Sequence, residues 1–187
     1  MLAVLARLAR PRTRAIEGAF ISANEMASSC LYLGNLNATR DWGHARDYVE
    51  CMWKILQQDK AEDWVIATGV TTTIRDFVRM SFKEIGVQLE FKGSGIDEVG
   101  VVLSCENSNF KLNIGDEVVA VDSRYFRPTE VDLLIGDPSK AKSKLGWEPK
   151  YDLQALCSEM VQSDLDLFRK DQFLKQEGFK IKNEFES

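Results

Sequence analysis

The sequence predicts an α/β fold, and three observations carry that reading. Short Val/Ile/Leu runs closed by glycine recur between longer segments with helical spacing. Threonine and aspartate stand where the helices begin. Strands and helices alternate along the chain instead of clustering by type. The β-α-β count is nonetheless small and the strands are unequal. The pattern is that of the closing part of a doubly wound domain, with a last parallel strand and a smaller mixed lobe attached.

Taken in order, residues 13–28 place Ile16, Ala19, Phe20 and Ala23 at helical spacing. Leu31 to Leu33 is a short strand ending at Gly34, and Thr39 to Trp42 is extended. Ala45 to Gln58 is an amphipathic helix with Tyr48, Val49, Met52, Trp53 and Leu56 on its apolar face. Asp63 to Thr68, DWVIAT, is brief, rich in Val and Ile and closed by Gly69, which predicts a buried parallel strand. Thr71 to Thr73 offers capping hydroxyls to a helix reaching about Glu84, whose apolar contacts are Phe77, Met80 and Phe82. Gly86 ends that helix and Val87 to Phe91 is the next strand. Residues 92–117 are rich in turns, with a strand at Val101 to Ser104. Glu117 to Asp122 is a strand and Arg124 to Glu130 a loop. Asp137 caps a short helix with Pro138 in its first position, and Leu145-Gly146 stops it. Asp152 caps a long last helix to about Phe173, with Leu153, Leu156, Met160, Leu165 and Phe168 on one face. The tail from Gly178 is charged and frayed.

A chain of 187 residues holds one domain, or a domain and a half. Its net charge of −5 argues against a general nucleic-acid binder, but leaves room for a local basic pocket around a phosphorylated ligand. Cys30, Cys51, Cys105 and Cys157 lie far apart, and a single histidine cannot complete a common zinc site with them. Scattered thiols of this kind fit a reduced, cytoplasmic protein. No apolar run approaches the roughly 20 residues that span a membrane. The first sixteen residues carry Arg7, Arg10, Arg12 and Arg14 with no acid before Glu17. That composition resembles an organellar transit peptide, and fits equally a surface helix or an unstructured start.

Three segments concentrate chemistry. In the first, Arg40-Asp41-Trp42-Gly43-His44, arginine offers a planar fork for phosphate oxygens. The alternative is a strand-end arginine held by Asp41 or Asp47, and His44 at a helix start reads as structural. In the second, Tyr125-Phe126-Arg127-Pro128-Thr129-Glu130, Arg127 can neutralise a pyrophosphate and Glu130 can accept from ribose hydroxyls or a base edge, while an aromatic covers a ring. The alternative is a surface ion pair of little energetic weight. The third, Gly136-Asp137-Pro138-Ser139 through Leu145-Gly146-Trp147-Glu148-Pro149, is punctuation: a capped helix, a glycine stop, then Trp and Pro.

Together, WGHARDYV, WVIATG, YFRPTEV and GDPSKAKSKLGWEP resemble the C-terminal half of the GDP-mannose 4,6-dehydratases, extended short-chain dehydrogenases/reductases. The pairing of RDWGHARDYV with YFRPTEV is the specific part. The resemblance runs from about Leu31 to Leu167 and divides the chain into residues 1–30, a substrate-binding portion at 31–175 and a charged tail at 176–187. It implies the C-terminal part of an extended Rossmann-type dehydratase that turns GDP-mannose into GDP-4-keto-6-deoxymannose, on the route to GDP-fucose. The implied cofactor is NADP. The Gly-rich cofactor loop, the Tyr-x-x-x-Lys pair and the Thr and Glu of elimination belong to the family's N-terminal half, and none has a counterpart here. No catalytic residue and no cofactor site are therefore expected in this chain. By resemblance Arg40 faces the diphosphate, Arg127 and Glu130 hold the GDP moiety, and Asn35 and Tyr125 line the same pocket. The implied partners are GDP-mannose or GDP, a further copy of the chain, or the missing N-terminal half.

Three readings follow: part of a dehydratase that is inactive alone, a stand-alone nucleotide-sugar binding module, or a non-functional remnant.

Overall fold

A computed structural model describes residues 30–108, 110, 112–126 and 133–179. The helical pattern at 13–28 and the end of the charged tail lie outside these residues.

The main sheet has four strands: β1 (Leu31–Leu33), β4 (Val87–Lys92), β5 (Val99–Cys105) and β6 (Glu117–Val121). Their spatial order is β1-β6-β5-β4. β1 runs parallel to β6, with Leu31 opposite Val119 and Leu33 opposite Val121, whereas β4, β5 and β6 form an antiparallel meander. A second sheet joins β2 (Thr39–Asp41) to β3 (Thr71–Thr73) antiparallel, and to β7 (Leu133–Leu134) parallel.

Alternation explains the main sheet. In β4, Val87 and Leu89 turn inward while Gln88 and Glu90 face water. Over the inward face lies α2 (Ile74–Glu84), which starts where Thr73 Oγ1 accepts from Asp76 N at 3.0 Å. Gly86, at φ +79, turns the chain into β4. Phe77, Val78 and Phe82 of α2 pack against Leu31, Leu33, Val87, Val102 and Val119, and Cys157 and Val161 of the long helix α4 (Leu153–Gln176) close the same core. Burying one such side chain stabilises the fold by about 1.5–3 kcal/mol. Asp152 Oδ1 accepts from Ala155 N at the start of α4, as its position in the sequence predicts.

A smaller cluster holds α1 (Ala45–Leu56) to α3 (Ser139–Leu145) through Cys51, Ala141 and Trp147. Trp147 is 1% exposed, and its Nε1 donates to Asp47 O at 2.9 Å. Gly146, at φ +57, ends α3 and delivers Trp147 to that position. The GDPSKAKSKLGWEP segment is structural here. Its helix begins one residue later than the sequence predicts: Pro138 is the cap position, and Asp137 Oδ1 still accepts from Ser139 N.

Two expectations are corrected. Residues 63–68 form no strand, and Val65 is half exposed. A strand needs a neighbour, and among the described residues no backbone hydrogen bond reaches Trp64 to Ala67. The parallel pairs of the fold are β1–β6 and the short β2–β7 instead. The apolar face assigned to α1 is also largely in water: Val49, Met52, Trp53 and Leu56 are exposed, while the buried side chains are Asp47 and Cys51.

Trp147→Phe keeps one aromatic ring but loses the bond to Asp47 O and half of the indole, so urea denaturation should register a loss of about 1–3 kcal/mol. Trp147→Ala also leaves a cavity and should cost about 3–5 kcal/mol. Equal costs for the two variants would mean that Trp147 is not the packing centre of the α1–α3 cluster.

Candidate functional site

The parallel pair β1–β6 sends both strands out at the same edge of the sheet. From β1 the chain enters a turn, Gly34 to Ala38, in which Asn35 Oδ1 accepts from Asn37 N at 3.0 Å and Asn35 O accepts from Ala38 N. From β6 it enters a second turn, in which Asp122 O accepts from Tyr125 N and Phe126 N. Asp122 N donates to Leu33 O at 2.9 Å and laces the two exits together. At Gly34 a Cβ would lie 2.5 Å from Tyr125 O, so only glycine lets the turns approach this closely. Asn35 and Tyr125 are thereby brought to one edge, and Tyr125 is 54% exposed there.

Arg124 stands beside them. Its guanidinium donates to both oxygens of Asp122 and lies 5.7 Å from the Tyr125 ring centre. Hydrogen bonds from the Arg124 side chain, then from its backbone N–H, hold the Asp122 carboxyl below the usual carboxylate range.

Arg40 lies in the middle of β2, half-buried, opposite Thr72 on one side and Leu134 on the other. Its Nη1 donates to Thr39 O at 2.8 Å. The two aspartates that the sequence offers as its partners are engaged elsewhere. Asp41 accepts from Thr68 N at 2.9 Å, from Thr68 Oγ1 at 2.7 Å and from Gly69 N at 2.9 Å. Asp47, 2% exposed, accepts from Lys150 N and Tyr151 N. Both carboxylates therefore hold distant backbone segments in place, which their spacing from Arg40 does not reveal.

Arg127 and Glu130 lie outside the described residues. What is described is where their segment leaves and returns: Phe126 follows Tyr125 at the Gly34 edge, and Leu133 pairs with Thr39, one residue before Arg40. The described residues that flank the segment thus lie near Asn35 on one side and Arg40 on the other.

His44 is structural in this fold. Its Nδ1 caps α1 by accepting from Arg46 N at 3.1 Å, Nε2 meets Glu159 at 3.3 Å, and its ring stacks on Tyr151 at 4.2 Å. A separate hollow of about 310 Å³ is lined by Trp42, Thr68, Val70, Thr72 and residues 149–153, and among the described residues includes neither Asn35, Arg40 nor Tyr125. No group of three or more His, Cys, Asp or Glu suited to a metal occurs among the described residues.

Two helix starts among the described residues, those of α1 and α2, are not open to a dinucleotide. Its pyrophosphate needs a helix N-terminus with free N–H groups and glycine room beside it. The start of α1 is occupied by the His44 cap, and the space beside Gly43 is filled by the Tyr48 ring, on which a Cβ there would fall. The start of α2 is occupied by the Thr73 cap.

The family model described as GDP-mannose 4,6 dehydratase matches residues 6–160. The chain belongs to this family. The match begins well ahead of Leu31, where the sequence motifs start. The chain is 49% identical to the GDP-mannose 4,6-dehydratase of Vibrio cholerae over 170 residues, which are 90% of this chain and 46% of that protein. It is 49% identical to the GDP-mannose 4,6 dehydratase of Cricetulus griseus over 140 residues, 75% of this chain and 35% of that protein. The chain thus spans less than half the length of these curated relatives. Among solved structures it is similar to RMD from Pseudomonas aeruginosa complexed with NADPH, at a TM-score of 0.57 and 13% identity, covering 83% of this chain and 42% of that one. It is also similar to the UDP-glucose 4-epimerase of Thermotoga maritima with UDP-glucose, at a TM-score of 0.54 and 20% identity, covering 86% and 38%. At such identities the likeness shows the fold alone: part of a mixed α/β epimerase/dehydratase fold.

Tyr48 gives a check on the packing beside β2. Burial first, then the nearby charges of Asp41 and Asp47, push its phenol up to about 12. A raised acid favours the folded state below its ordinary pKa near 10, and that contribution falls away as pH rises towards about 12. Ultraviolet titration of the folded chain should show one tyrosine ionising later than the others, and Tyr48→Phe should remove that step. A late step that survives the substitution would contradict the packing of Tyr48 over Gly43.

Proposed function

We propose that this chain is the substrate-binding portion of a GDP-mannose 4,6-dehydratase and binds the GDP moiety of a GDP-sugar. The supporting observation is the meeting of two turns at one sheet edge, which places Asn35 and Tyr125 together. The described chain leaves that edge at Phe126 and resumes at Leu133 and Leu134, beside Arg40. Arg40 and Arg127 supply cationic forks for the diphosphate. Glu130 accepts from ribose hydroxyls or a base edge, Tyr125 covers a ring, and Asn35 donates from its amide nitrogen. A nucleotide-sugar site of this kind needs few reacting groups of its own.

The reaction itself, GDP-mannose to GDP-4-keto-6-deoxymannose, belongs in this reading to the assembled enzyme. NADP supplies the hydride chemistry there, held by the portion of the family protein that this chain does not span. No step of the chemistry is assigned to residues of this chain. Two features support the need for that portion as a partner. Val49, Met52, Trp53 and Leu56 together leave an apolar face of α1 exposed, as a surface that meets another chain does. Among the described residues the apolar run Trp64 to Ala67 has no backbone partner and the buried Trp64 Nε1 no hydrogen-bond partner.

Isothermal calorimetry with GDP tests the reading. The folded chain should bind, and Arg127→Ala or Arg40→Ala should each weaken binding by about tenfold or more. A cooperatively melting chain that gives no heat with GDP would defeat the proposal. Purified alone, the chain should show no NADP-dependent turnover of GDP-mannose, and turnover by the chain alone would contradict the assignment of the chemistry to the absent portion.

A further inference from the structure

Arg75 sits behind the Asn35 turn. It is the second residue of α2, and its backbone N–H donates to Leu36 O at 3.0 Å. Its Nη2 donates to Asn37 Oδ1 at 2.7 Å. The same guanidinium grips Glu98 as a fork, with Nε to Oε1 at 2.6 Å and Nη2 to Oε2 at 2.8 Å. The Glu98 side chain is 4% exposed and that of Arg75 21%, so the pair is held mostly out of water. A two-point ion pair in that setting keeps its geometry, because losing either partner strands a buried charge.

The connection continues beyond Glu98. Its carbonyl accepts from Val121 N at 3.2 Å, at the end of β6. The next residue, Asp122, donates its N–H to Leu33 O and gives its carbonyl to Tyr125 and Phe126. One ion pair therefore stands between the turn that carries Asn35 and the turn that carries Tyr125. Glu98 arises from the short 3-10 turn Gly95–Asp97, a segment the sequence marks only as turn-rich.

We propose that the Arg75–Glu98 pair is a positioning device that locks the Gly34–Ala38 turn and the Asp122–Phe126 turn into one rigid ligand-facing edge. The inference rests on the reading of that edge as a nucleotide site, and it deepens that reading by naming the residues that hold its two walls in register. Arg75 and Glu98 act through Asn37, Leu36 and Val121 and are positioning residues.

The test compares the full chain with Arg75→Lys and with Glu98→Gln, using amide hydrogen exchange followed by NMR and calorimetry with GDP. Ile74 N donates to Ala38 O and reports on the first turn, while Tyr125 N donates to Asp122 O and reports on the second. Amides of β4 and β5 report on the sheet as a whole. In either variant, exchange at both Ile74 and Tyr125 should speed up about tenfold while β4 and β5 keep their protection, and GDP affinity should fall by a similar factor.

Acceleration at one turn only, or equal loosening throughout the sheet, would overturn the proposal. So would a fall in affinity with unchanged exchange, because Arg75 would then be a ligand contact. Should the unsubstituted chain fail to bind GDP, the exchange results still decide the coupling, and it is the nucleotide reading that fails. Two variants are used because either partner left alone is a buried charge, and lysine keeps the charge while losing the fork.

Discussion

The candidate site depends on one constraint, the parallel pairing of Leu31–Leu33 with Glu117–Val121. These strands are far apart in sequence, and only their side-by-side exit brings Asn35 and Tyr125 to a common edge. Gly34 sharpens the constraint, since any side chain there would collide with the Tyr125 carbonyl. Asp122 closes it with a backbone bond to Leu33. The antiparallel strands β4 and β5 and the helix α2 then serve as a frame. They bury Leu31, Leu33 and Val119 in the core and bring Arg75 and Glu98 up behind the turns. Stability and site geometry thus share the same strands.

Local order was legible where local chemistry dictates it. Thr73 and Asp152 announce their helices because a short oxygen-bearing side chain satisfies free N–H groups at a helix start. Gly86 and Gly146 announce the helix ends because only glycine takes the left-handed backbone without strain. The alternation in Val87 to Phe91 reports a sheet with one face buried. The family to which the chain belongs is the one that the motifs around Arg40 and Tyr125 resemble.

What was not legible depends on partners distant in sequence or absent from this chain. DWVIAT has the composition of a buried strand, yet composition cannot supply the neighbour that a strand needs. The apolar face of α1 has the right periodicity, yet periodicity does not say whether anything covers it, and here Trp53 and Leu56 face water. Asp41 and Asp47 read as counter-ions for Arg40 because they are near it in sequence. The fold turns both towards backbone amides beyond residue 67 instead. Arg75 and Glu98 gave no signal, since an arginine in an amphipathic helix and a glutamate in a turn-rich stretch each look like surface residues until they meet.

The central claim is that the edge where β1 and β6 end is the ligand-facing surface. Mapping GDP-induced shifts of backbone amide resonances across the folded chain tests it most directly. The account predicts that the largest shifts fall on residues 34–40 and 122–126 and on the segment that follows. Shifts centred on the hollow between Trp42, Val70 and Lys150, with the Asn35 and Tyr125 turns unmoved, would contradict it.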